Sequence, residues 1–130
     1  MTLTPTLICL ALNVYFEARN QPVADQVAVA QTVLERVESP LYPNDLCSVV
    51  QQRSDHGGCA FTWHCGVRIE YDRKAWVNAL LIADGVLHGS GHADFRATHY
   101  HANYVQPWWG PFVTPLGSYG GRHLYYQEGG

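Results

Sequence analysis

The 130-residue chain is 47% hydrophobic, 15% charged and 12% aromatic, with a formal net charge of −3. This composition excludes disorder, coiled coil and collagen-like structure, and the length suits one domain, residues 1–130, with its own core. The small negative charge leaves no basic footprint for nucleic acid.

In chain order, "LTPTLICLAL" lacks a basic n-region, since the first positive residue is Arg19, and no small-residue cleavage site follows it. No apolar stretch approaches the ~20 residues of a membrane span. The expectation is a soluble, monomeric chain with no export signal, made in the cytoplasm and not inserted in a membrane. The same stretch predicts a first helix. Thr4 is the N-cap, Pro5 fits the first turn, and Leu7, Ile8, Leu10, Ala11, Leu12, Val14 and Tyr15 make the helix apolar nearly all round. It should stop around Ala18–Asn20, because Asn20 tolerates left-handed geometry and Pro22 cannot continue it.

A second helix is predicted from about Pro22 to Val37, with Val23, Val27, Ala30, Leu34 and Val37 on one face. A short third helix covers about residues 44–52, with Leu46, Val49 and Val50 inward. After the loop "RSDHGG" and the irregular piece "CAFTWHCG", Asp72 caps a fourth helix running to about His88. Its expected stripe is Trp76, Ala79, Leu80, Ala83 and Leu87. "ATHYHANYV" alternates as a strand does, "QPWWGPFVTPLGSYGG" is turn-rich, and "RHLYYQ" returns as a second strand. The fold class is α+β, mainly α: a helical body with a small C-terminal antiparallel hairpin.

Several side chains invite chemistry. In "NVYFEARNQP", Glu17 falls in the last turn of the first helix, where the negative end of the macrodipole disfavours its ionised form. Apolar Tyr15 and Phe16 act the same way, and a carboxyl kept protonated is what a general acid for glycosidic cleavage needs. Arg19 pulls the other way, and a solvated Glu17–Arg19 pair is the plainer alternative. His99 and His101 share a strand face, and His123 on the returning strand is a candidate third ligand for zinc, a set that would suit a metal-dependent amidase or peptidase. Separate structural roles for the three histidines are the alternative.

Cys59 or Cys65 beside His56 or His64 lacks the surroundings of a catalytic thiol. Four cysteines allow three pairings: Cys9–Cys47 with Cys59–Cys65 is one reading, and four reduced thiols another. Trp108 and Trp109 sit in a turn where burying both indoles is difficult, which leaves a surface for stacking sugar rings or a hairpin packed on the helices.

Taken together, "CLALNVYFEARNQP", "QVAVAQTVLERVESPLYPNDLCSVVQQ", "CAFTWHC", "AWVNALLIADGVL", "ATHYHANYVQPWW" and "GRHLYY" resemble the SleB-type cell-wall hydrolase family in order and spacing. That family includes spore-cortex-lytic enzymes and lysins of bacteria and phages. The resemblance runs from about Leu7 to Tyr126 and implies a lysozyme-like fold with Glu17 as the catalytic acid. It also implies cleavage of peptidoglycan glycan strands between N-acetylmuramic acid and N-acetylglucosamine, as a lytic transglycosylase without a cofactor. By motif position, Phe61, Thr62, Tyr100, His101 and Tyr104 are the expected substrate-binding residues. Release to the wall in the manner of a phage endolysin is the expected route.

The chain departs from the family pattern at three places. E-A-R-G-E becomes Glu17-Ala18-Arg19-Asn20-Gln21, L-N-R-V becomes Leu34-Glu35-Arg36-Val37, and Gln-Phe-Ser becomes Ala60-Phe61-Thr62. If Glu35 faces the cleft, it is a second acid or base and the outcome is hydrolytic, as in a muramidase. If it faces solvent, Glu35 and Arg36 are surface residues, which is the favoured expectation.

Overall fold

The structure is a computed structural model that describes residues 1–52, 72–89 and 96–128. Phe61, Thr62, Cys59, Cys65, His56 and His64 lie outside the described residues.

Helix α1 spans Pro5–Ala18, α2 Val23–Glu38, α3 Leu46–Val50 and α4 Arg73–Leu87. The predicted start of α1 is observed: the Thr4 hydroxyl accepts from the Leu7 N–H at 3.1 Å, and Pro5 opens the first turn. Its predicted stop is observed as well, with Asn20 at φ 68. Asp72 caps α4 by accepting from the Ala75 N–H at 3.1 Å. Helix α1 is the centre of the body and packs on α2, α3 and α4. Leu10, Ala11 and Val14 are fully or almost fully buried there with Val33, Val49, Val50, Ala79 and Ala83. Each buried leucine or valine among them contributes roughly 1.5–3 kcal/mol by leaving water, and each alanine less. A disulfide between Cys9 and Cys47 staples α1 to α3.

Helix α2 is rotated from its expected setting. Val23 is 60% exposed, whereas Asp25, Val29, Ala30, Thr32, Val33 and Arg36 are buried. Val27, Leu34 and Val37 only half-bury against the core. The helix touches both the helical body and the sheet, so a polar stripe is drawn inward beside the apolar one.

The C-terminal third is a three-stranded antiparallel sheet, not a two-stranded hairpin. Strand β1 is His99–Ala102, β2 Thr114–Gly117 and β3 His123–Gln127, in the order β1-β3-β2. The unforeseen β2 is an edge strand exposed along its whole length. It carries Pro115, and its register shifts between Pro115 and Gly117. Proline and an irregular register are devices that blunt an edge against further pairing, and they also disguise the strand as a turn.

Candidate active site

Tyr100 pairs with Tyr125 and Ala102 with His123 across β1 and β3, whereas His99 pairs with Tyr126 and His101 with Leu124. Directly paired residues project to the same side of a sheet, and neighbours along a strand project to opposite sides. Tyr100, His123 and Tyr125 therefore share the inner face, against the helices. His99, His101 and Tyr126 share the outer face.

Tyr100 bridges the two buried clusters of the molecule. Burial pushes its phenol well above the ordinary value, the Glu17 carboxylate pushes it further, and the Asn13 amide and the Arg36 guanidinium pull it back. The hydroxyl is thus held protonated within electrostatic reach of Glu17. Asn13 lies one turn before Glu17 on α1 and is wholly buried. Glu17 itself is half-buried, between wholly buried Ala18 and half-buried Phe16.

Arg36 completes this cluster from α2 and corrects the expectation that it lies at the surface. Its Nε donates to the Thr98 carbonyl at 2.6 Å, and its guanidinium lies 5.0 Å from the centre of the Tyr42 ring. Burial lowers its pKa, while Tyr42, Tyr100, Glu128 and Glu17 all favour its charged form. A buried cation is tolerable when it is hydrogen-bonded and faces opposite charge. The Tyr42 hydroxyl donates to Glu128 at 2.6 Å, and the Thr98 hydroxyl accepts from the Glu128 N–H at 2.8 Å. Arg36, Thr98 and Glu128 together clamp the start of β1 and so fix Tyr100.

A second polar cluster supports the inner face. Asp25, wholly buried, accepts from His123 Nδ1 at 2.6 Å and from the Tyr125 hydroxyl at 2.8 Å. The His123 ring meets Tyr100 edge-on at 5.1 Å. Gly121 lies so close that a Cβ there would approach the Asp25 carboxyl to 2.7 Å.

This placement overturns the zinc reading. His123 lies across the sheet from His99 and His101 and is committed to Asp25. Among the described residues no group of three His, Cys, Asp or Glu side chains is arranged to hold a metal. The i, i+2 spacing on β1 gives the expected shared face for His99 and His101, but the register of β3 turns His123 away from it.

Of the other expected site residues, His101 stacks on Tyr126 with ring centres 5.3 Å apart, on the outer face, and Tyr104 lies beyond the end of β1, 75% exposed. Tyr100 is the expected residue that the described structure brings to Glu17. Glu35 is only 21% exposed and sits 3.5 Å from Arg96. Gln21 has a turn-stabilising role: its carbonyl accepts from Gln26 Nε2 at 2.8 Å and its side-chain oxygen from the Arg122 N–H at 2.9 Å. Arg19 reaches back to donate to the Tyr15 hydroxyl at 2.9 Å.

Sequence reasoning missed Asn13, Asp25, Arg36 and Thr98. Asn13 did carry a signal, being a polar residue inside an apolar helix.

A family model described as Cell Wall Hydrolase matches residues 20–126, beginning just after Glu17. The spore cortex-lytic enzyme of Bacillus subtilis (strain 168) is 49% identical over 41 residues, which cover 32% of this chain and 13% of that protein's length. Two solved structures share the fold. The catalytic domain of the germination-specific lytic transglycosylase SleB from Bacillus anthracis superposes with a TM-score of 0.68 at 24% identity, over 96% of this chain and 97% of that one. The catalytic domain of the Bacillus cereus SleB protein gives a TM-score of 0.64 at 24% identity, over 97% and 93%.

Proposed function

This chain belongs to the cell wall hydrolase family, and on that premise we propose that it cuts peptidoglycan glycan strands between N-acetylmuramic acid and N-acetylglucosamine as a lytic transglycosylase. The observation that carries the reading is the setting of Glu17. It sits at the end of a buried helix, in electrostatic contact with a protonated Tyr100 and a buried Arg36. The names of the Bacillus structures give the reaction class of those proteins, and the shared fold makes it the first reaction to test here.

In this reading Glu17 delivers its proton to the glycosidic oxygen, and the bond from muramic C1 to that oxygen breaks as oxocarbenium character develops. The released sugar leaves as an alcohol. The Glu17 carboxylate then takes the proton from the muramic C6 hydroxyl as O6 closes on C1. The product is a 1,6-anhydro ring, and Glu17 regains its proton. One carboxyl group serves both steps, and Arg36 favours its ionised form between them. Glu35, held beside Arg96, is not needed.

Purified sacculi incubated with the protein should release anhydro-muropeptides, identified by mass spectrometry, and Glu17→Gln should release none. Reducing muramic ends would replace the mechanism with water attack, as in a muramidase. Retained lysis by Glu17→Gln would remove Glu17 from the reaction.

The place of action in this proposal is the bacterial wall, outside the reducing cytoplasm, and the Cys9–Cys47 bond suits that destination. An endolysin role is tested by expression with and without a membrane-permeabilising protein. Lysis confined to the permeabilised cells supports it, and lysis in both sets rejects it.

A further inference from the structure

The outer face of the sheet carries a groove whose lining includes none of Glu17, Tyr100 and Arg36. It has a volume of about 650 Å³ and is lined by His101, Gln106, Pro107, Trp108, Pro111 and Tyr126, among others. Strand alternation puts it across β1 from Tyr100.

Its polar groups form a defined set. His101 Nδ1 lies 2.7 Å from the Ala102 carbonyl, which can only accept, so Nδ1 carries the proton. Nε2 then accepts from the Tyr126 hydroxyl at 2.8 Å. The Tyr126 oxygen keeps acceptor capacity for an incoming hydroxyl, and the Gln106 amide offers both a donor and an acceptor. Among the described residues, no Asp, Glu, Lys or Arg lines the groove.

Trp108 is 55% exposed beside these groups. It stands on a tight turn in which the Gly110 N–H bonds the Pro107 carbonyl at 3.3 Å and the Phe112 N–H bonds the Trp109 carbonyl at 2.9 Å. Trp109, next in the chain, packs against His99 at 4.7 Å and Tyr126 at 5.3 Å, which roots the turn on the sheet. An aromatic face on a stiff support, with neutral hydrogen-bonding groups around it, suits an uncharged polyhydroxylated ring, and stiffness lowers the ordering entropy of binding.

We propose that this groove is a second glycan-contacting site that takes an uncharged N-acetylglucosamine ring of the strand, with Trp108 stacking on it and Gln106 and Tyr126 bonding its hydroxyl or acetamido groups. The proposal rests on the reading that the substrate is a peptidoglycan glycan. The stem peptides of that polymer bear ionised groups, for which the described lining residues offer no counter-charge. Holding the strand here would keep an insoluble substrate on the enzyme between cleavage events.

The test is a titration of the Glu17→Gln protein with a soluble N-acetylglucosamine tetramer, followed by the indole N–H signals in NMR. Saturable shifts at Trp108 are expected, and Trp108→Ala should weaken binding about tenfold, equivalent to about 1.4 kcal/mol. Gln106→Ala should weaken it less, and thermal midpoints equal to the parent's would show both variants folded. Binding unchanged in a folded Trp108→Ala protein would overturn the proposal. So would a stem peptide that shifts the same signals where the tetramer does not, or sedimentation showing a second copy of the chain in the groove. The sacculus digestion decides the role of Glu17 separately, because the titration requires no cleavage.

Discussion

Glu17 lies in a field set by Arg36 on one element and Tyr100 on another, and its proposed role makes that field testable. Removing the Arg36 cation should disfavour the Glu17 carboxylate and move the Glu17-dependent limb of the pH–activity profile to higher pH. Arg36→Lys keeps the charge and should move that limb less than Arg36→Met, a difference that a purely structural role would not produce. Equal displacement in the two variants would remove Arg36 from the electrostatics. Asp25 belongs to the frame. Asp25→Ala strips His123 and Tyr125 of a buried partner and should destabilise by about 3–5 kcal/mol, measured as a lower denaturant midpoint. The sequence pointed to Glu17 through its motif, but not to Arg36. An arginine following a glutamate on an amphipathic helix looks solvated until tertiary packing supplies Thr98, Tyr42 and Tyr100 around it.

Among the elements, α1 was legible nearly to the residue because its cap, its opening proline and its terminating asparagine are local signals. The Cys9–Cys47 link joins α1 to α3 across 38 residues. Closing a loop of that size removes about 4 kcal/mol of denatured-state entropy by the chain-entropy account. Reduction, or Cys9→Ala with Cys47→Ala, should therefore lower the thermal midpoint by several degrees, and an unchanged midpoint would show that packing alone sets the α1–α3 contact. Strand β2 escaped notice because its signal is inverted. An edge strand exposed on both faces shows no alternation, and its proline and glycine imitate a turn. The inward face of α2 was misjudged for a related reason: its second neighbour, the sheet, comes from the far end of the chain.

At the scale of the whole molecule, helical body and sheet meet through titratable groups, so stability should follow pH. His99 is held neutral, its pKa lowered to about 4 by burial first and Arg36 second, against a smaller pull from Glu128. Unfolded, it takes up its proton near the ordinary value of about 6.5. Between those values the unfolded chain binds more protons, so this contribution is full above pH ~6.5 and is lost as the pH falls toward 4. The thermal midpoint should drop across that window, and His99→Asn should flatten the drop; an identical slope in the variant would assign it to other groups. Overall class and the order of the four helices, β1 and β3 were readable from local pattern. What joins the parts was not, because the register of β3 against β1 decides which histidine meets which carboxylate, and no local pattern encodes it.

That register gives the length of β1 a meaning separate from its composition. Tyr100 and His101 are adjacent in sequence yet belong to opposite sides of the sheet. A single residue inserted or deleted between Ala97 and Tyr100 would turn a tyrosine out into the groove and a histidine in toward Glu17. Substitutions in this stretch can be absorbed one at a time, whereas a change of length disturbs both surfaces together. Across relatives, insertions and deletions should therefore collect in the connection 103–113 and spare 97–102, and a family rich in gaps at β1 would show that its two faces are not tied to separate tasks.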